Sequence, residues 1–263
     1  MSTQPQQTHY PPAVEISDLF FSYDQAPVLE NVNLEVAPGD SICLVGPNGG
    51  GKTTLLKLIL GLLTPERGSV KVMGRTPAQQ RLRLGYVPQY AHYDPLFPVT
   101  LLDVVLMGRM GLGSKDRYSS ADRQIARKSL AQMKLSNLEE RLFSAISGGQ
   151  RQRALIARAL ASEAEILILD EPTANIDPHS EHDLFNLLGE LNRSRTVMVV
   201  THDVGFASSF FKRIACVNRK VVTHPVSTLT GRMIHDLYGG DVNMIRHDHN
   251  CTGENCRPGD PHD

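Results

Sequence analysis

A chain of 263 residues, 41% hydrophobic and 21% charged, has an ordinary globular balance and is long enough to bury one large α/β core or two smaller ones. Its formal net charge of −1 gives no electrostatic reason to bind nucleic acid, whose partners usually carry a clear excess of Lys and Arg. Of four cysteines, Cys43 and Cys216 sit in apolar segments and Cys251 and Cys256 in a polar tail, so no disulfide framework is indicated.

The opening "MSTQPQQTHYPPAV" has neither a basic start nor an apolar core, unlike a secretory signal. Next, "AVEISDLFFSYDQAPVLENVNLEVAPGDSICLVG" reads as short strands broken at Asp-Gln, Pro-Gly and Gly-Pro. "SICLV" is the most strand-like and runs straight into a glycine loop. From Lys52 the apolar positions Leu55, Leu56, Leu58, Ile59 and Leu62 take a helical spacing that stops near Gly61 to Pro65. Strand, glycine loop and helix make the first half of a βα unit. The run "LLKLILGLL" is broken by Lys57 and falls short of the ~20 apolar residues that span a bilayer. The chain is therefore expected in the cytosol unless a partner holds it at a membrane.

Thr100 to about Ala161 reads as mostly helical. "TLLDVVLMGRM" starts with a Thr-x-x-Asp cap and "SSADRQIARKSLAQMKL" with Ser and Asp. This block, about residues 95–160, is a candidate helical insertion that carries "ISGGQ" at its end. Two buried strands follow, "EILILD" ending at Asp170 and "TVMVVTHD" ending near His202. Both are continuous apolar runs, as parallel strands covered on both faces require. The expected organisation is one α/β unit over residues 14–238 and a polar tail over 239–263, with no internal repeats.

"GPNGGGKTT" fits the phosphate-loop pattern G-x-x-x-x-G-K-[ST] through Gly46, Gly51, Lys52 and Thr53. In it Pro47, Asn48, Gly49 and Gly50 complete the loop, whose N–H groups face phosphate oxygens. Lys52 neutralises the β/γ oxygens, the Thr53 hydroxyl can ligate Mg²⁺, and Thr54 follows. A chance glycine turn would not lie between a buried strand and a helix. The strand "ILILD" brings the Asp170 carboxylate beside this loop, where it can hold Mg²⁺ directly or through water, and Glu171 follows as a base for the attacking water. Taken alone, the pair could equally cap the next turn. Gln89 in "GYVPQY" and His202 in "VVTHD" would each, alone, be ordinary surface residues, and Tyr23 in "FFSYDQAP" an ordinary core ring. A ring ahead of the first loop strand can also stack on adenine. "SGGQ" opens a helix with Ser147, Gly148, Gly149 and Gln150, half an anion cradle that has no lysine of its own.

In this order, "GPNGGGKTT", "YVPQ", "ISGGQRQR", "ILILDEP", "TANID" and "THD" closely resemble the ATP-binding cassette of ABC transporters, over about Val14 to Asp203. Ile146 stands where that family often has leucine, and "ANID" replaces its commoner "SALD". The resemblance implies an α/β fold: a P-loop (RecA-like) core with a mixed sheet, an N-terminal antiparallel β subdomain and a helical signature subdomain. It implies ATP and Mg²⁺ as cofactors, with Gln89 joining Thr53 and Asp170 around the metal and linking it to a membrane partner. His202 would contact the γ-phosphate. It also implies a head-to-tail homodimer, in which Ser147 to Gln150 face the partner's ATP and Asp177 lies at the interface. The remaining partners are integral membrane permease subunits on the cytoplasmic face and, indirectly, an extracytoplasmic binding protein.

A transport motor competes with a soluble ABC protein working on ribosomes or DNA. A single cassette, the lack of a long coiled-coil insertion and the lack of a basic surplus favour transport. "DPLFPVTLLDVVLMGR" with "EPTANIDP" resembles the ATP-binding subunits of bacterial zinc and manganese importers, with siderophore or cobalamin importers as the alternative. The tail offers His247, His249, Cys251, Cys256 and His262, groups that suit a transition metal. Their spacing matches no standard zinc module, and a solvated extension reads equally well.

Overall fold

The computed structural model describes residues 11–89, 93–112, 117–174, 176–202 and 210–228. The polar tail and its His and Cys residues lie outside them.

Two long strands, β1 (Val14–Tyr23) and β2 (Ala26–Val36), open the fold as an antiparallel hairpin turning at Asp24 and Gln25. These strands are longer than the short pieces expected from the sequence. Register shifts near Leu19 and Phe21 let the pairing run on through the polar interruptions. Next come β3 (Ser41–Val45), α1 (Lys52–Ile59) and β4 (Arg67–Val72), which pairs antiparallel with β1 to complete a three-stranded sheet.

After β5 (Leu84–Val87) the regular elements among the described residues up to the next strand are helices. This part holds α2 (Leu101–Leu106), α3 (Ser120–Gln132) and α4 (Gly148–Ala161), with short 3₁₀ turns between them. Each of these helices starts with a capping box: Thr100 with Asp103, Ser119 with Asp122, and Ser147 with Gln150. Arg109 ties the block together by binding Asp122 at 2.9 Å and Glu163 at 2.7 Å. The chain continues through β6 (Ile166–Asp170), α5 (Pro178–Asn192), β7 (Thr196–Val200), β8 (Arg213–Asn218) and β9 (Lys220–Pro225).

The second sheet has six strands in the order β5-β6-β7-β3-β8-β9, parallel except for β9. Its central strands alternate between two cores. Ile42, Leu44, Ile166, Ile168 and Met198 face the core shared with α1 and the three-stranded sheet. Cys43, Val45, Leu167, Leu169 and Val197 face the core shared with α2 to α5. Coverage on both faces explains the continuous apolar runs Ile166 to Leu169 in β6 and Val197 to Val200 in β7. Cys43 and Cys216 are both buried, as their apolar settings suggest. No helix among the described residues is long and apolar enough to cross a membrane.

Phe185 of α5 anchors the helical core. It is almost fully buried, stacks on Phe210 at 5.2 Å and meets Phe211 edge-on at 5.9 Å. Phe185→Ala is expected to lower stability by about 3–5 kcal/mol. The check is an equilibrium denaturation curve whose midpoint falls at unchanged slope.

Candidate functional site

The loop after β3 wraps into the start of α1 at the carboxyl edge of the parallel strands, where ligands of open α/β sheets bind. A cleft of about 800 Å³ opens there. It is lined by Gly46, Pro47, Asn48, Gly49, Gly51, Lys52, Thr53 and Thr54 of the glycine loop and α1, by Tyr23 and Val28, and by Gln89, Glu171 and His202. Tyr23 is half-exposed, and its ring meets Phe21 in an edge-to-face pair at 5.0 Å.

The glycines are needed for close approach. A Cβ on Gly46, which has φ +152°, would lie 2.0 Å from the Val217 carbonyl oxygen, and one on Gly51 would lie 2.7 Å from Leu29. Gly50 is not in the cleft wall; its N–H donates to the Pro47 carbonyl at 3.1 Å. The Lys52 ammonium is buried and donates to the carbonyls of Gly46 at 2.8 Å and Pro47 at 3.0 Å, which holds it at the loop. Burial pushes its pKa down, against the pull of Glu171 and Asp170.

Asp170 ends β6 and is buried. Burial and then the neighbouring Glu171 charge raise its carboxyl above the usual range, opposed by Tyr86 and Lys52. The Tyr86 hydroxyl reaches Asp170 Oδ2 at 3.5 Å, and its own pKa is pushed up to about 12 by burial and by Asp170. Glu171 has φ +44°, in the left-handed region that a glutamate seldom occupies, while its N–H donates to the Val200 carbonyl at 2.9 Å. The turn aims its carboxylate into the cleft. There Oε2 accepts from Gln89 Nε2 at 2.7 Å and stands 3.7 Å from His202 Nδ1. Three residues far apart in the sequence thus meet at one carboxylate.

Ser147, Gly148, Gly149, Gln150 and Asp177 are not in the walls of this cleft. Ser147 Oγ accepts from Gln150 N at 3.2 Å, and Gln150 Oε1 accepts from Ser147 N at 3.0 Å, which closes the helix start on itself. Asp177 is exposed and caps α5 by accepting from Ser180 N at 2.9 Å. A Cβ on Gly149 would lie 3.0 Å from Ser180, so the first turns of α4 and α5 touch.

Sequence reasoning missed Tyr86, Val28 and the Val217 carbonyl. Tyr86 reaches Asp170 only because β5 pairs with β6, and nothing in the sequence signals that pairing. Among the described residues no cluster of three or more His, Cys, Asp or Glu could hold a metal on side chains of those types alone.

A profile of the ABC transporter family matches residues 29–174. The chain belongs to the ABC transporter family. It is 38% identical over 237 residues to the manganese transport system ATP-binding protein of Bacillus subtilis, covering 89% of this chain and 95% of that one. To the zinc transport system ATP-binding protein of Treponema pallidum it is 38% identical over 234 residues, 88% of each chain. Among solved structures, a dimeric ATP-binding cassette bound to ADP and phosphate in a post-hydrolysis state matches with a TM-score of 0.68 at 29% identity, over 81% of this chain and 98% of that one.

In this ABC cassette the two clearances along the glycine loop rank substitutions. Gly46→Ala would drive a Cβ into the Val217 carbonyl and should abolish ATP binding and lower the thermal midpoint. Gly49→Ala meets no atom within 4 Å and carries only the strain of φ +78°, on the order of 1–2 kcal/mol. ATP titration of the two purified variants, beside their melting curves, checks the ranking.

Proposed function

We propose that this chain is the ATP-hydrolysing motor of an importer for a divalent metal ion, manganese or zinc. The observation that carries the chemistry is the meeting of Gln89 and His202 at the Glu171 carboxylate, in the cleft that the glycine loop also lines. Glu171 orients a water for in-line attack on the γ-phosphorus and takes up its proton, so that ADP leaves as the bond to the β-γ bridging oxygen breaks. Lys52 and the loop N–H groups hold the β and γ oxygens, His202 steadies the charge that grows on the γ-phosphoryl group, and Tyr23 stacks on the adenine.

The donor set suits Mg²⁺. Two consecutive carboxylates repel each other beside a hydroxyl, and all are hard oxygen donors. The Thr53 hydroxyl, the Asp170 carboxylate and the Gln89 side-chain carbonyl would hold it, the Gln89 nitrogen being committed to Glu171. When bound it would offset negative charge on the phosphates.

The signature lies outside its own chain's cleft, which supports a head-to-tail homodimer. There Ser147 and the N–H groups of Gly148 and Gly149 complete the partner's ATP site, with Asp177 near the interface. Leu96 and Phe97 are exposed, as is Leu142 beside the hydrogen bond that joins Phe143 N to the Val99 carbonyl. This apolar surface on the helical block supports the docking of permease subunits, and hence a peripheral place on the cytoplasmic face of the membrane. The names of the manganese and zinc relatives support the cargo.

Co-expression with its permease and metal-binding protein tests the whole reading. Membranes should recover the cassette only when the permease is present, and vesicles should take up Mn²⁺ or Zn²⁺ on addition of ATP. Glu171→Gln should keep ATP affinity while losing at least about a hundredfold in hydrolysis, the lower end of a general base's contribution. Near-normal turnover in that variant would reject Glu171 as the base.

The dimer is tested separately by mixing Lys52→Ala and Ser147→Arg subunits. Each homodimer carries a defect in both sites, whereas the mixed dimer has one doubly defective site and one intact site. Partial hydrolysis returning on mixing is expected; if none returns, cross-linking between cysteines placed at Ser147 and Gly49 separates obligate coupling of the sites from a wrong arrangement.

A further inference from the structure

Three glycines in a row, Gly49 to Gly51, make the phosphate loop the most easily distorted backbone in the site, since no side chain restrains the rotation of its peptide planes. The Gly50 N–H is fixed by the Pro47 carbonyl within the loop. Its carbonyl is fixed from outside: the Arg219 N–H donates to Gly50 O at 3.0 Å. Arg219 alone separates β8 from β9 and has φ +57°. Its own carbonyl accepts from Glu30 N on β2 at 2.8 Å, and its guanidinium lies 3.8 Å from the Glu30 carboxylate. Two residues before Arg219, the Val217 carbonyl packs where Cβ atoms on Gly46 and Gly50 would sit, at 2.0 and 2.8 Å.

We propose that the β8–β9 turn is a positioning element of the nucleotide site, in which the main chain of Arg219 fixes the Gly50–Gly51 peptide so that the Gly51 N–H faces the phosphates. The carbonyl and N–H of a planar trans peptide point in opposite directions. Anchoring Gly50 O on the turn therefore turns the Gly51 N–H away from it, toward the cleft that Gly51 lines. Without the anchor the plane is free to flip and present a carbonyl oxygen, which repels phosphate. Arg219 acts through Gly50 and touches no substrate. Because β2 also carries Val28 in the cleft wall, the Glu30 bond fixes the turn to the adenine side as well as to the phosphate side.

The inference rests on the ATP-binding reading, and the experiment keeps the two apart. In the full-length chain, residue 219 is made alanine and, separately, the α-hydroxy analogue of alanine, which replaces only the N–H by an ester oxygen. ATP affinity is read by titration, with melting curves alongside and Lys52→Ala as control. The ester should bind ATP about three- to tenfold more weakly than Arg219→Ala, the range of one neutral hydrogen bond. In hydrolysis the loss should appear in KM with kcat unchanged. Equal affinity of ester and alanine proteins, while Lys52→Ala loses binding, overturns the proposal; wild type that fails to bind ATP overturns the reading beneath it. If the ester protein does not fold, Arg219→Val and Arg219→Gly decide. Valine resists φ +57° and should weaken ATP binding, while glycine should match wild type. Equal affinity of these two overturns the proposal.

Discussion

The approach of the Val217 carbonyl to Gly46 is the constraint from which the site follows. It exists because β3 lies between β7 and β8, in parallel register with both, so the loop leaving β3 must pass against the end of β8. Only a residue without Cβ can pass there, and the loop held that close leads straight into α1. The same parallel edge carries Asp170 at the end of β6 and His202 just past β7. The glycine loop, the carboxylate pair and the histidine therefore share one rim.

At that rim, geometry also departs from backbone preference at Glu171 and, in the β8–β9 turn, at Arg219. Glu171 occupies the left-handed region, and its amide is held by the Val200 carbonyl of the neighbouring strand. Strain at a single residue aims a carboxylate that a relaxed strand end would turn elsewhere. The outcome is one carboxylate oxygen that accepts from Gln89 and has the His202 ring 3.7 Å away, the two arriving from β5 and β7 on either side of β6.

Much of this was legible in the sequence, because local signals and chemistry coincided there. The glycine loop lay between an apolar strand and a helical spacing, the capping residues Thr100, Ser119 and Ser147 marked three helix starts, and the continuous apolar runs of β6 and β7 told of a sheet covered on both faces. What escaped depends on long-range register. Tyr86 reads as a strand residue until β5 is seen beside β6, and Arg219 reads as a surface turn residue until its N–H is found on Gly50. The lengths of β1 and β2 were missed because bulges carry the ladder through positions that look like breaks. Asp177, expected at an interface by resemblance alone, has a role within its own chain as the cap of α5.

The placement of β8 has a consequence for biosynthesis. The loop at residues 46–54 emerges from the ribosome early, yet the strands that flank β3 are β7 and β8, which come near the end of the described chain. Until those strands arrive, the nascent glycine loop has neither the carbonyl that shapes it nor a completed sheet edge to sit on. Such distant pairings are slow to form and leave apolar strands exposed meanwhile. Newly made chains therefore pass through a long interval in which the most recognisable motif of the protein is already synthesised and still unable to hold its ligand.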